Sequence, residues 1–155
     1  LHFYVTELSF YNFPYVSTEG QENEPLWKAS IQNIRQFLIY QSPESQKHLR
    51  LHLDHFAASC NQMIFLSGSC GLELLNVALS SESHKKLAHV FAYGPVAKKY
   101  PDFPCTLIQG SKDYLSQFFF KQVDERVTTL GHMNYLEHPR VFEIIQQNLV
   151  HYVQD

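Results

Sequence analysis

Hydrophobic and polar positions change period several times along this chain, and each change predicts an element. His2–Leu8 (HFYVTEL) is short, aromatic and β-branched, which suits a strand. A polar loop rich in Pro, Gly, Asn and Glu follows, from Asn12 to Glu24. Pro25 stands where a helix can begin, and Trp27, Ile31, Ile34 and Leu38 recur at helical spacing. A second amphipathic helix is predicted after Pro43, with Leu49, Leu53 and Phe56 on one face. From Gln62 the pattern becomes strand, turn, helix. Met63-Ile64-Phe65-Leu66 is a continuous apolar run, as in a strand covered on both faces. Ser67-Gly68-Ser69-Cys70-Gly71 breaks it, and Leu72–Leu79 is apolar nearly all round, so that helix is expected to be buried. Further strands are predicted at Leu87–Tyr93, Thr106–Gln109 and Arg126–Leu130. A last helix over Val141–Val153 carries Val141, Ile145, Leu149 and Tyr152 on its inner face.

Strands alternating with helices imply an α/β protein: a three-layer sandwich, with a mainly parallel sheet between helices. At 155 residues the chain is expected to form a single domain spanning 1–155. Its 45% hydrophobic content and 17% charged content, against a usual ~25%, exclude a disordered chain. Twelve basic residues against fifteen acidic ones, a net charge of -3, argue against nucleic-acid binding. No apolar run approaches the ~18 residues of a membrane span. The opening LHFYVTELSF lacks the basic and apolar regions of a signal peptide. Cys60, Cys70 and Cys105 are odd in number and lack CxxC spacing, so they read as reduced thiols of a cytoplasmic protein, without a disulfide framework or zinc ribbon.

Sites in parallel sheets lie at the carboxyl ends of the strands, and three strand ends here carry complementary chemistry. Ser69 follows the first buried strand, flanked two residues away on each side by the small Ser67 and Gly71. A serine hydroxyl is a weak nucleophile that must be exposed and set beside a base. A sharp strand-to-helix turn exposes it, and the close approach of strand and helix requires small neighbours. Such a turn also aims the Cys70 N–H at the space beside Ser69, where an oxyanion would form. Leu107-Ile108-Gln109-Gly110-Ser111-Lys112-Asp113 runs an apolar strand into a carboxylate able to orient a histidine, although taken alone Asp113 reads first as the cap of a following helix or turn. His132 in Leu130-Gly131-His132-Met133-Asn134 follows the last strand, where a preceding glycine would let the imidazole swing toward Ser69. The order Ser, Asp, His is that of nucleophile, acid and base on successive strands of a hydrolase sheet.

On SGSCG, LIQGSKD and LGHMNYLEHP, the stretch from Gln62 to Val153 resembles the C-terminal two-thirds of an α/β-hydrolase domain. The resemblance implies Ser69 as nucleophile, Asp113 as acid, His132 as general base and Cys70 as a backbone oxyanion donor. It implies no cofactor and no metal. The family usually has Gly where Ser67 stands, often His at Gly68 and often Gly at Leu72. Its second oxyanion donor comes from a loop after an earlier strand, often carrying His-Gly. No His-Gly stands between Leu8 and Gln62, and the chain begins with Leu1 rather than Met, so the domain is expected to be N-terminally truncated, with further residues upstream. Twelve residues, Gly94–Cys105, stand where relatives insert a helical lid, which predicts an open, lid-less site. The implied function is hydrolysis of a small-molecule carboxylic ester or thioester through a Ser-His-Asp triad and an acyl-enzyme. The alternative is a non-catalytic α/β-hydrolase-like protein that binds a ligand or partner. A haloalkane or epoxide hydrolase would need an Asp where Ser69 stands.

Other features have plainer readings. His48, His52 and His55, with Asp54, share a helical stripe that could in principle hold a metal but reads as a solvated face. Phe118-Phe119-Phe120 cannot share one face and reads as a short segment packed on the core. Glu73 reads as structural. Asp102 and Asp124 are alternative acids, but neither directly follows an apolar strand.

Overall fold

Each strand of the sheet runs in the same direction, because helices or long loops carry the chain back between strands. The computed structural model of the protein describes residues 41–153. The predicted strand at His2–Leu8 and the helix after Pro25 therefore lie outside the described residues. The first described helix is α1 (Pro43–Ala58). Its N-terminus is fixed by the Ser42 hydroxyl, which accepts from the Ser45 N–H at 3.2 Å, and by Pro43, which has no N–H to leave unpaired. Leu49, Leu53 and Ala57 are its buried residues; the expected Phe56 is only half-buried, so the inner stripe passes one residue beyond it.

After α1 come β1 (Met63–Gly68), α2 (Gly71–Ala78), α3 (Ser81–Lys86), β2 (Leu87–Tyr93), β3 (Cys105–Gly110), α4 (Tyr114–Phe119) and β4 (Glu125–Val127). A 3-10 turn at Tyr135–Glu137 leads into α5 (Pro139–Val153). The four strands form one parallel sheet in the order β1-β2-β3-β4. Side chains alternate across it. Val90, Ala92 and Leu107 pack with Leu72 and Leu75 of α2, while Tyr93 and Ile108 point the other way and pack with Val141 and Ile144 of α5. The central strands thus bury apolar side chains on both faces, although His89, Thr106 and Gln109 interrupt their hydrophobic runs. A polar pin adds to this packing. Buried His89 on β2 meets Thr106 Oγ1 at 2.8 Å and the Tyr152 hydroxyl of α5 at 2.9 Å, and burial pushes its pKa down, which favours the neutral imidazole.

Several elements differ from expectation for local reasons. On β1, Leu66 is 57% exposed rather than covered, because β1 is an outer strand of the described sheet and α5 lies against β2. The last strand stops at Val127 instead of reaching Leu130. Thr129 adopts a left-handed backbone (φ +62°) and its N–H turns to the Ser111 hydroxyl at 2.9 Å. The short helices α3 and α4 interrupt stretches with no helical period. Ser80 and Ser83 form a reciprocal capping box at α3. At α4, buried Gln109 holds Ser116 Oγ and the Phe120 carbonyl, each at 3.0 Å. Phe120 is buried and Phe119 half-buried, but Phe118 is exposed, so only part of the aromatic run joins the core. In α5 burial centres on Val141 and Ile144; Ile145, Leu149 and Tyr152 are half-buried. The β2–β3 connection contains no helix. No helix among the described residues is long and apolar enough to cross a membrane.

Candidate functional site

Only Ser69 and Cys70 separate the end of β1 from the start of α2, so the chain must reverse within two residues. It does so by placing Ser69 at φ +50°, in the sparsely populated left-handed region. Two backbone hydrogen bonds hold the turn: Ser69 N–H to the Tyr93 carbonyl and Val96 N–H to the Ser69 carbonyl, both 3.1 Å. Small residues are required on either side. A Cβ at Gly71 would stand 2.8 Å from Ser67 Oγ, and one at Gly68 would stand 2.6 Å from the Tyr93 ring. Tyr93 therefore occupies the room that Gly68 leaves, and Ser67 the room that Gly71 leaves. Cys70 is the N-cap of α2, where the first N–H groups of a helix lack intrahelical partners. Its thiol lies 3.9 Å from Ser69 Oγ; burial raises its pKa and disfavours the thiolate.

Asp113 lies three residues beyond β3, at the N-cap of α4. Its side chain is fully buried. The Ser116 N–H donates to Oδ1 at 2.9 Å, the Tyr135 hydroxyl to Oδ2 at 2.6 Å, and His132 Nδ1 lies 3.0 and 2.9 Å from the two oxygens. Helix capping and contact with the histidine, which the sequence left as alternatives, are thus both realised. Burial works to raise the carboxyl pKa, but the His132, Ser116 and Tyr135 hydrogen bonds outweigh it and hold Asp113 below its ordinary value. Gly94, at φ +55°, keeps this space open: a Cβ there would come within 2.8 Å of the Tyr135 ring and 3.0 Å of Asp113 Oδ2.

His132 bridges the two halves. Its Nε2 lies 3.0 Å from Ser69 Oγ, and its side chain retains 22% exposure. An ionised carboxylate only accepts, so Nδ1–H donates to Asp113; in the neutral imidazole Nε2 then offers its lone pair to the Ser69 hydroxyl. The structure therefore brings Ser69, Asp113 and His132 into one hydrogen-bonded chain, with Cys70 beside Ser69. Gly131 does not act through conformational freedom: its φ is not left-handed, and a Cβ there would meet nothing within 4 Å. The critical glycine is Gly110, whose Cβ would stand 2.2 Å from the Leu130 carbonyl oxygen and which lets the His132 segment lie against the end of β3.

The remaining candidates have other partners. Glu73 is buried and accepts the Lys98 N–H at 3.0 Å, a structural tie between α2 and the loop after β2. Asp124 accepts the Leu107 N–H at 2.7 Å, and Asp102 is exposed. His48 and His55 are exposed and His52 half-buried, while Asp54 accepts from the Ser80 hydroxyl. Among the described residues no group of three or more His, Cys, Asp or Glu is arranged to hold a metal ion. Sequence reasoning missed Tyr135. No local pattern marks it, because its two partners, Gly110 and Asp113, lie on the preceding β3 and α4 segments. No protein-family model and no curated protein sequence matches the chain.

Proposed function

We propose that the protein is a serine hydrolase of the α/β-hydrolase type, cleaving a small-molecule carboxylic ester or thioester through an acyl-enzyme. The observation that carries this reading is the continuous relay from buried Asp113 through His132 to Ser69 Oγ on a strained strand-to-helix turn. In the first step Ser69 Oγ bonds to the substrate carbonyl carbon while His132 Nε2 takes the hydroxyl proton. The carbonyl oxygen becomes an oxyanion beside the Cys70 N–H at the head of α2. Collapse breaks the ester or thioester bond, and the leaving alkoxide or thiolate takes the proton from His132. Water then attacks the acyl carbon as His132 accepts its proton. The acid departs, and the proton returns to Ser69. Asp113 holds Nδ1–H throughout and stabilises the imidazolium without being protonated. The helix-free β2–β3 connection favours an open site, and the three free cysteines suit a reducing compartment such as the cytoplasm.

A fluorophosphonate probe is expected to form one covalent adduct, located on Ser69 by mass spectrometry and absent from Ser69→Ala. Adduct formation surviving that substitution would refute the assignment. Hydrolysis of p-nitrophenyl acetate and butyrate at the same rate by wild type and His132→Ala would favour a non-catalytic binding protein instead.

A further inference from the structure

Asp113 is gripped from more sides than orienting a histidine needs. His132 Nδ1 spans both carboxylate oxygens, and Ser116 N–H engages Oδ1 from α4. Oδ2 receives the shortest of these contacts, the 2.6 Å bond from the Tyr135 hydroxyl. The direction of that bond is fixed. Tyr135 already accepts the Gly110 N–H at 2.7 Å, so its own proton is available to Asp113. Tyr135 is 2% exposed, with its ring against Gly94 and 5.7 Å from that of Tyr93, so the phenol has little freedom to turn elsewhere. One hydroxyl thus links the end of β3, the buried acid and the turn three residues after His132.

We propose that Tyr135 is a positioning residue for the Asp113–His132 pair: its phenol locks the rotation of the carboxylate and takes up part of its charge, and through the acid it sets how readily His132 acts as a base. The proposal rests on the hydrolase reading for its catalytic meaning, but the geometry makes a claim about His132 that holds without turnover. A carboxylate with one donor fewer is more basic and holds an imidazolium more tightly; a stronger donor has the opposite effect. The titratable groups facing Asp113 are His132, from the segment after β4, and Tyr135 itself. Burial, with Asp113 beside it, pushes the Tyr135 phenol far above its usual range, so it remains a donor wherever His132 titrates.

The test compares full-length wild type, Tyr135→Phe, and a protein with 3-fluorotyrosine at position 135, which keeps the hydroxyl but makes it a stronger donor. Imidazole ¹H–¹⁵N spectra follow the His132 titration directly. The expected midpoint rises by about half a pH unit in Tyr135→Phe and falls in the fluorotyrosine protein. The acid limb of kcat/KM for p-nitrophenyl acetate is expected to move with it, and kcat to fall about tenfold in Tyr135→Phe at unchanged KM. A purely structural tyrosine would lower only the melting temperature. Wild-type midpoints in the substituted proteins that fold would overturn the proposal. If Tyr135→Phe does not fold, the fluorotyrosine midpoint alone decides. Absence of His132-dependent turnover in wild type would defeat the hydrolase reading and leave the titration result standing.

Discussion

Adding one methyl group at Gly110 tests whether the approach of two strand ends sets the site. A Cβ there would stand 2.2 Å from the Leu130 carbonyl oxygen, 2.8 Å from its carbonyl carbon and 3.1 Å from its Cβ. Ordinary contact begins at 3.4 Å, so the segments must separate by about 1.2 Å. The obstacle is backbone, which cannot rotate away like a flexible side chain, and the same oxygen accepts the Lys112 N–H at 3.0 Å. Residue 130 lies two positions before His132, so the displacement reaches the imidazole. Overpacking of this kind costs roughly 1–3 kcal/mol, and a misplacement of about 1 Å can cost about 10²-fold in rate. Gly110→Ala is therefore expected to slow fluorophosphonate labelling about 10²-fold and to lower the urea midpoint by an amount equivalent to about 2 kcal/mol. Gly131→Ala is the control, because its methyl group meets open space; its stability should stay within about 0.5 kcal/mol of wild type. Gly110→Ala matching Gly131→Ala in both labelling rate and urea midpoint would refute the reasoning.

Four further outcomes are expected. Asp113→Asn should reduce labelling about 10⁴-fold by favouring the wrong imidazole tautomer. Because the folded pKa of Asp113 is depressed, its ionisation stabilises the fold above the unfolded carboxyl pKa and that contribution is lost as pH falls through the folded value. The gap in urea midpoint between wild type and Asp113→Asn, open at pH 7, should consequently narrow below about pH 4. Cys105, pushed up to about 12 chiefly by burial with Asp124 adding to it, should resist iodoacetamide at pH 8 in the folded protein and react once unfolded, as read by mass spectrometry. Gly71→Ala should destabilise by about 1–3 kcal/mol through its contact with Ser67 Oγ, and Ser67→Gly should restore much of that loss, a coupling visible in a double-mutant cycle of urea midpoints.

Much of the described architecture was legible where hydrophobic pattern and burial report the same thing. The pattern places strands at Leu87–Tyr93 and Thr106–Gln109 and a buried helix at Leu72–Leu79, and the structure has β2 at Leu87–Tyr93, β3 at Cys105–Gly110 and α2 at Gly71–Ala78, whose apolar side chains pack into one core. Thr128–Leu130 misled because β propensity says nothing of the Ser111 hydroxyl that draws the Thr129 N–H out of the strand direction. The helices α3 and α4 were illegible because six residues carry too few turns for a period, and their caps decide them instead.

For the candidate site, the sequence alone placed Ser69, Asp113 and His132 after predicted strands, in an order that a parallel sheet brings to one edge, although His132 stands five residues beyond the end of β4 rather than directly after a strand. Only the tertiary structure decided the 3.0 Å contact between Ser69 and His132, the burial of Asp113, the tie through Tyr135 and the reason Gly110 rather than Gly131 must lack a side chain. The division has a physical cause. A hydrophobic period records what each segment does alone, whereas a hydrogen bond or close backbone approach between segments far apart in the chain exists only once packing has fixed both partners.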